Sequence, residues 1–440
     1  MRGGAYSAPL LVIAFLLLFS AYVAPSLNQP VLKLSAGEER VFEIRSLEDY
    51  ELVFDFHLTQ FSGLAPAFEL WLSEDATIKV FACAGPKAKP GVYLYLSGKE
   101  TAGSPVLVYP GSWFRLVITS VGDKTTVELV ALNDTWLAPR VELVPSLYKQ
   151  GLAYDGRVWY YTATDMIFRL KPDGTVDDYN DFPIPPELMS EGYFHLGDPD
   201  YYNGHLLIPV EKRGYVKPAV IALYDAKTLK IVKYAYTPQD HMPWLAVDDK
   251  GYVYSSEFSP ASEVYVYRLS DVGEGNYVEP VRVIKLSREL KGVQGGVVYE
   301  GKLYVSVIGW NVYVIDLETG EVSELFKVPP MYEMEGIEVC KLSDGTLFHV
   351  LVNTFQEENV VYHYARFSKG DSLKLFELEG KVRLSPKIKV KARLPMKLVP
   401  PKVVEAKAEE GLPALPLTVA VIVALAVVAA ILFGRRRARR

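Results

Sequence analysis

Cysteine is scarce in this chain of 440 residues, which contains only Cys83 and Cys340. The two cysteines lie too far apart in sequence to form a paired-cysteine zinc motif, and two cannot form the disulfide framework of a small secreted domain. An even count permits one disulfide, but both residues lie in apolar runs typical of strands. We therefore predict two separate buried thiols.

Short catalytic motifs are also missing. The sequence contains no His-Glu-x-x-His, no Gly-x-Ser-x-Gly and no phosphate-binding loop. These absences argue against zinc proteases, α/β-hydrolases and P-loop nucleotidases. They lower the prospect of an enzyme without excluding one, because fold alone does not determine function.

Long apolar runs occur only near the two ends. Residues 8–19 follow Arg2 and have the length of a secretory h-region, so we predict a signal peptide over 1–26; an uncleaved anchor is the alternative. Residues 415–433 are uncharged, and an arginine-rich tail follows at 434–440. This pattern predicts a single transmembrane helix with a cytoplasmic carboxyl terminus and the bulk of the chain outside the cell.

Positive charge is scarce in the part between these ends. Without Arg2, the tail arginines and the segment 381–410, 32 basic residues remain against 50 acidic ones, a net charge near −18. Such a surface repels nucleic acid and anionic lipid headgroups. We therefore expect no nucleic-acid partner, and contact with the membrane through the helix at 415–433.

A repeat of about 48 residues organises the centre of the chain. Strand-like runs are broken by turn glycines 48, 47, 50 and 44 residues apart, at Gly156, Gly204, Gly251, Gly301 and Gly345. Four short strands per period of 40 to 50 residues are typical of β-propeller blades. We predict a five-bladed propeller over 146–380. A sixth blade is the alternative, and residues 141–144 or 373–378 are candidates to help close the ring.

The repeats resemble β-propellers as a class, including the olfactomedin-like five-bladed forms. The resemblance is architectural, and no family motif allows functional residues to be transferred.

Two other segments flank the predicted propeller. Residues 27–145 contain about seven short strands with turns between them, which predicts a β-sandwich. The strand from Trp113 to Ile118 and the hairpin at Gly122 give this segment a resemblance to laminin-G or lectin-type jelly rolls, which often bind sugars. Residues 381–414 are rich in proline and lysine, which favours an extended stalk. An edge strand over 387–391 is the alternative.

Polar residues precede the innermost strand of every predicted blade. Because these strands all begin at the same end of a propeller channel, we expect the side chains to converge there. The candidate residues are Gln150, His195, Asp198, Asp240, His241, Gln294 and Glu335. Carboxylates with amides suit Ca²⁺, two histidines with a carboxylate suit a transition metal, and a hydrogen-bonded plug needs no metal.

These observations predict a membrane-anchored protein of the cell surface that recognises a glycan, an envelope component or a protein ligand. The alternative is a tethered metal-dependent hydrolase or lyase at the channel mouth, with His195 or His241 as general base. Asn133 lies in an Asn-Asp-Thr sequence and is a glycosylation candidate. Glu211 and Glu257 end second strands of their repeats, where we expect solvated surface.

Overall fold

The computed structural model describes residues 30–62, 64–82, 90–329 and 333–406. These residues form β-strands almost throughout, with one α-helix, α1 (Pro186–Ser190), and one 3-10 helix (Leu269–Asp271). None of the helices among them is long and apolar enough to cross a membrane. The predicted signal peptide, Cys83, the predicted transmembrane helix and the basic tail lie outside the described residues.

The first ten strands precede residue 146. They are β1 (Leu32–Leu34), β2 (Glu39–Glu43), β3 (Tyr50–Leu58), β4 (Phe68–Trp71), β5 (Ala76–Phe81), β6 (Gly91–Leu96), β7 (Lys99–Ser104), β8 (Trp113–Val121), β9 (Lys124–Ala131) and β10 (Thr135–Pro145).

The central part of the chain contributes twenty-one more strands among the described residues. They are β11 (Gly151–Tyr154), β12 (Trp159–Thr162), β13 (Ile167–Leu170), β14 (Val176–Asn180), β15 (Tyr193–Leu196), β16 (Asp200–Tyr202), β17 (His205–Lys212), β18 (Ala219–Asp225), β19 (Ile231–Thr237), β20 (Ala246–Val247), β21 (Tyr252–Ser255), β22 (Ala261–Arg268), β23 (Glu274–Tyr277), β24 (Arg282–Leu290), β25 (Val293–Tyr299), β26 (Lys302–Val307), β27 (Asn311–Asp316), β28 (Val322–Lys327), β29 (Glu333–Val339), β30 (Phe348–Asn353) and β31 (Glu358–Phe367). The last four strands are β32 (Ser372–Glu379), β33 (Lys387–Ala392), β34 (Met396–Leu398) and β35 (Lys402–Glu405).

Two sheets from both ends of the described chain share one hydrophobic cluster, and we call them the two-sheet unit. One sheet has the order β1-β34-β3-β8-β9-β32, with β35 also paired to β3, and the other has the order β2-β33-β4-β5-β6-β7. Alternate residues of β3, including Leu52 and Phe54, are buried against Phe68 and Leu70 of β4. The period of two places one apolar face of each strand in this core.

The predicted stalk is wrong for its described part. β33 lies inside a sheet, between β2 and β4, so it is not an edge strand either. Ile388, Val390 and Ala392 are fully buried in the core of the two-sheet unit. Prolines 386 and 395 lie just outside β33, where the lack of a backbone N–H does not interrupt strand pairing.

Five further sheets follow one another around a ring. Ring sheets 1 to 5 have the strand orders β11-β12-β13-β14, β15-β17-β18-β19-β23, β20-β21-β22-β24, β25-β26-β27-β28 and β29-β30-β31-β10. Five hydrophobic clusters lie between successive sheets, and one of them joins sheet 1 to sheet 5 through Leu152 and Val361. The arrangement is therefore closed and β-propeller-like.

Strand β10 closes the ring, because it precedes sheet 1 in sequence but forms the outer strand of sheet 5. Residues 141–144 thus help to close the ring, whereas 373–378 pair with β9 in the two-sheet unit. The predicted boundaries at 145/146 and 380/381 accordingly shift, since the ring uses residues from Thr135 to Phe367. All five predicted turn glycines have positive φ, between 74° and 93°, as tight hairpin turns require.

Candidate functional site

The axis of the ring is closed by Asp198, which follows β15 and is completely buried. Its carboxylate accepts N–H hydrogen bonds from Leu152 at 3.1 Å, Gly296 at 3.1 Å and Ile337 at 3.4 Å. These donors belong to ring sheets 1, 4 and 5. One side chain of sheet 2 therefore ties three other sheets together at the centre.

Glycines make room for this carboxylate. A Cβ atom at Gly151 or Gly336 would lie 2.4 Å from Oδ1 of Asp198, and one at Gly295 would lie 2.7 Å from Oδ2. Real Cβ atoms do not approach oxygen so closely, so only glycine fits at these three places. This close approach explains why a glycine follows Gln150, Gln294 and Glu335.

Asp198 is arranged as a plug. Burial raises the pKa of Asp198 well above its usual range, and the three backbone N–H groups oppose that rise. These donors occupy lone pairs that a cation would need. No group of three or more His, Cys, Asp or Glu side chains within the described ranges is placed to hold a metal ion.

A second polar cluster lies at the mouth of the ring, around Glu211 at the end of β17. Glu211 is completely buried, and its Oε2 lies 3.0 Å from Nδ1 of His195. Its Oε1 lies 3.7 Å from Nε2 of His241 and has no hydrogen-bond partner. A buried carboxylate oxygen without a donor is costly, so this atom favours a hydrogen-bond donor or a positive charge close to it.

Aromatic rings surround the two histidines. The ring of Tyr215 stacks on His241 with 4.0 Å between centroids and contacts His195 edge-on at 5.9 Å. Phe258 contacts His241 at 4.5 Å. Tyr215 is 40% exposed and has a φ of 49°, so a strained loop residue presents its ring at the mouth.

The loops of the mouth are fixed by carboxylates. Glu257 accepts the backbone N–H groups of Asp240 at 3.2 Å and His241 at 2.9 Å. Asp240 in turn accepts the N–H of Lys217 at 3.0 Å. The predicted candidate Asp240 therefore supports the loop that carries Tyr215, and its side chain is exposed.

Sheets 4 and 5 contribute two amides and two carboxyl groups. Gln294 donates from Nε2 to Oε1 of Glu333 at 2.9 Å, and Asn353 donates to Oε1 of Glu335 at 3.2 Å. Burial and the charge of Glu333 raise the pKa of Glu335 well above its usual range. Gln150 of sheet 1 is half-buried.

Burial shifts the pKa values of two groups at the mouth. Burial lowers the pKa of His241, although the charge of Glu211 opposes the shift. Burial raises the pKa of Glu257, against the two N–H groups that it accepts. The carboxyl oxygens of the mouth are acceptors that suit a ligand with N–H donors.

The sequence found part of this cluster and missed its centre. His195 and His241 belong to it, but the expectation that Glu211 and Glu257 are solvated is wrong for Glu211, which is buried, and for Glu257, which is half-buried. His195 and Glu211 are opposite each other in the pairing of β15 with β17, a register that hairpin alignment could have found. Tyr215 had no sequence signal.

Asn133 lies outside this region, in the turn after β9. Its Oδ1 accepts the N–H of Trp113 at 2.8 Å and its Nδ2 donates to the carbonyl of Asp134 at 2.9 Å. The glycosylation candidate therefore has a local structural role. Cys340, half-buried, directly follows β29.

No family model matches the chain, and no curated protein matches it. Among solved structures it is similar to glutaminyl cyclase from Myxococcus xanthus, with 10% identity, a TM-score of 0.41, and coverage of 54% of this chain and 98% of that one. It is also similar to BamB from Moraxella catarrhalis, with 12% identity, a TM-score of 0.26, and coverage of 66% and 82%. Likenesses at this level do not assign the chain to a family.

Proposed function

We propose that this chain is a recognition protein of the cell surface, in which a five-bladed β-propeller and a β-sandwich form the extracellular part. The propeller mouth binds the ammonium group of its ligand. The unpartnered Oε1 atom of Glu211, buried between His195 and His241, carries this proposal. An ammonium group bound at the mouth would lie near this buried carboxylate and offset its charge.

The surroundings favour the same ligand chemistry. Tyr215 and Phe258 present ring faces, which attract cations. Glu257 of sheet 3 and Glu333 and Glu335 of β29 add carboxyl groups near Tyr215 and Glu211. Amino sugars, envelope polymers with amino groups and protein lysines or amino termini all supply such an ammonium, so the glycan, envelope and protein alternatives share one test.

The anchoring part of the proposal rests on the apolar segment 415–433 and the signal-like segment 1–26. Strand β35 ends at Glu405 and pairs with β3, so only a short segment separates the two-sheet unit from the proposed membrane helix. We therefore propose that the two-sheet unit lies close to the membrane.

The test is calorimetric titration of the full-length chain in nanodiscs with glucosamine, lysine amide and ethanolamine. Each amine is paired with its N-acetylated form, which has lost the charge. We expect at least one amine to bind while its acetylated form does not. Replacing Glu211 by Gln should weaken binding about 10-fold or more, because the attraction between the ammonium group and this carboxylate is lost.

Glu289→Gln is the matched control, since Glu289 is exposed on β24 of ring sheet 3. Unchanged affinity in the Glu211→Gln protein, or equal binding of amines and acetylated amines, would refute the ammonium site.

A second candidate function is cleavage of a ligand at the same mouth, either by hydrolysis or by the elimination reaction of a lyase. The 3.0 Å contact between Nδ1 of His195 and Oε2 of Glu211 favours it, because a buried carboxylate can orient an imidazole as a general base. Screens with glycan, ester and phosphoester substrates should then show turnover that His195→Gln abolishes. The metal-dependent form of this function lacks a ligand set among the described residues.

A further inference from the structure

A groove with a volume of about 720 Å³ opens on the ring between sheets 2 and 3. Strand β17 has His205 of the groove at one end and Glu211 of the mouth near the other. Six residues of extended strand cover about 20 Å, so the groove lies on the opposite face of the ring. It is a separate cavity from the mouth.

The groove is lined by cationic and aromatic side chains and contains no carboxylate. Lys233 comes from β19 of sheet 2, while Lys250 and Arg268 come from the hairpin and third strand of sheet 3. Tyr202 and Tyr252 provide ring surface. This composition is the reverse of the acidic mouth.

Lys233, Lys250 and Arg268 have no ion-pair partner among the described residues. The carboxylates of adjacent turns are engaged elsewhere. Oδ1 of Asp248 accepts the N–H groups of Lys250 and Tyr252, and Oδ1 of Asp225 accepts both the N–H and the hydroxyl of Thr228. Three cations that line one groove without ion-pair partners among the described residues favour an anionic ligand there.

We propose that this groove is a binding site for an anionic saccharide. The arginine and lysines pair with a phosphate, sulfate or carboxylate group, and Arg268 can do so with two parallel hydrogen bonds. Tyr202 and Tyr252 pack against the sugar ring. The volume lies within the range of about 300 to 1,000 Å³ that small-molecule sites occupy.

Titration of the full-length chain in nanodiscs of zwitterionic lipid tests the proposal. The probes are glucose 6-phosphate, N-acetylglucosamine 6-sulfate and glucuronate, with glucose and inorganic phosphate as references. We expect at least one anionic sugar to bind more tightly than both references, and its affinity to fall as salt is raised from 50 to 500 mM, roughly as screening predicts. The three anionic probes distinguish phosphate, sulfate and carboxylate sources.

Two variants locate the site. The triple variant Lys233→Gln, Lys250→Gln, Arg268→Gln should lose about 10-fold or more in affinity, and Lys250→Gln alone, in an exposed hairpin, about 3-fold or more. The matched control replaces three exposed lysines elsewhere with Gln, at Lys291, Lys341 and Lys369, and should bind as the wild type does.

Several results would overturn the proposal. One is that no anionic sugar binds at low salt. Another is that the control variant loses as much affinity as the triple variant does. The third is that Lys250→Gln and the triple variant both keep the wild-type affinity. Inorganic phosphate binding as tightly as the sugars would show that the tyrosines contribute nothing and that the saccharide assignment is wrong. The mouth proposal is unaffected by these outcomes, because Glu211→Gln tests it with amines alone.

Discussion

The Nδ1 atoms of His349 and His363 lie 2.7 Å apart across neighbouring strands of ring sheet 5. Nε2 of His349 contacts the carbonyl oxygen of Cys340 at 2.9 Å, and Nη2 of Arg140 lies 2.9 Å from Nδ1 of His363. Both imidazoles are almost completely buried. An extra proton on either ring would place a second positive charge beside Arg140, away from water.

The pH dependence of stability should report this pair. Burial, reinforced by the charge of His363, lowers the pKa of His349 to about 3. The unfolded chain therefore takes up a proton near pH 6.5 that the native chain refuses, so stability falls as pH falls from about 6.5 toward 3, by at most roughly 5 kcal/mol. Chemical denaturation of His349→Gln between pH 4 and 7 should show a smaller fall than the wild type.

His205→Gln, which removes a half-exposed histidine outside this pair, is the control. Parallel curves for wild type and His349→Gln would show that His349 titrates normally in the native chain.

Asp200 and Glu338 should change the pH dependence of stability in the opposite direction to His349. Burial raises the pKa of Asp200 to about 7, and burial with the charge of Asp200 raises the pKa of Glu338 to about 8. Between about pH 4.5 and 8 the native chain binds more protons than the unfolded chain, so their contribution to stability is lost as pH rises. The free energy of unfolding of the wild type, relative to Glu338→Gln, should decrease across this window.

Glu289→Gln gives the baseline for that comparison, since Glu289 is exposed. A difference between wild type and Glu338→Gln that stays constant from pH 5 to 8 would contradict the raised pKa.

Replacing Asp198 by Ala should destabilise the ring strongly. Three buried N–H groups of different sheets would lose their acceptor, at a cost of about 3 kcal/mol or more. Asp198→Asn should also be harmful, because its NH₂ group would face N–H donors. Glu335→Gln is the comparison, and it should change the free energy of unfolding by less than about 1 kcal/mol, since the amide oxygen can still accept from Asn353. Equal losses of unfolding free energy in Asp198→Ala and Glu335→Gln would contradict the role of Asp198 in joining the sheets.

Truncation after residue 379 should prevent proper folding of the two-sheet unit. Strands β33, β34 and β35 would be missing, including the one that lies between β2 and β4. A chain ending at residue 406 keeps all described strands and is the control. Secretion yield and protease resistance of the two proteins provide the measurement. A stable, protease-resistant protein ending at 379 would contradict the pairing of β33.

The sequence predicted the ring well because each hairpin needs a glycine with positive φ at its turn, and such glycines recur at a readable period. The flanking prolines favoured a stalk over residues 387–391, where the structure has a strand inside a sheet. The alternation of Ile388 and Val390 with lysines did indicate a strand. Asp198 and the glycines near it were placed at one level, but local pattern could not show that a carboxylate accepts hydrogen bonds from three distant sheets. The burial of Glu211 likewise depends on loops that pack over it.

The chain leaves and re-enters the two-sheet unit at adjacent points, where the N–H of Ala131 donates to the carbonyl of Asp371 at 2.9 Å and the N–H of Gly370 donates to the carbonyl of Ala131 at 2.8 Å. During synthesis every strand of the ring emerges from the ribosome before β33, β34 and β35 do. The ring can therefore be complete while the two-sheet unit still lacks the strand that pairs with β2 and β4. The last twenty or so residues of the described chain complete the two-sheet unit, so its amino-terminal strands stay incompletely paired for longest during synthesis.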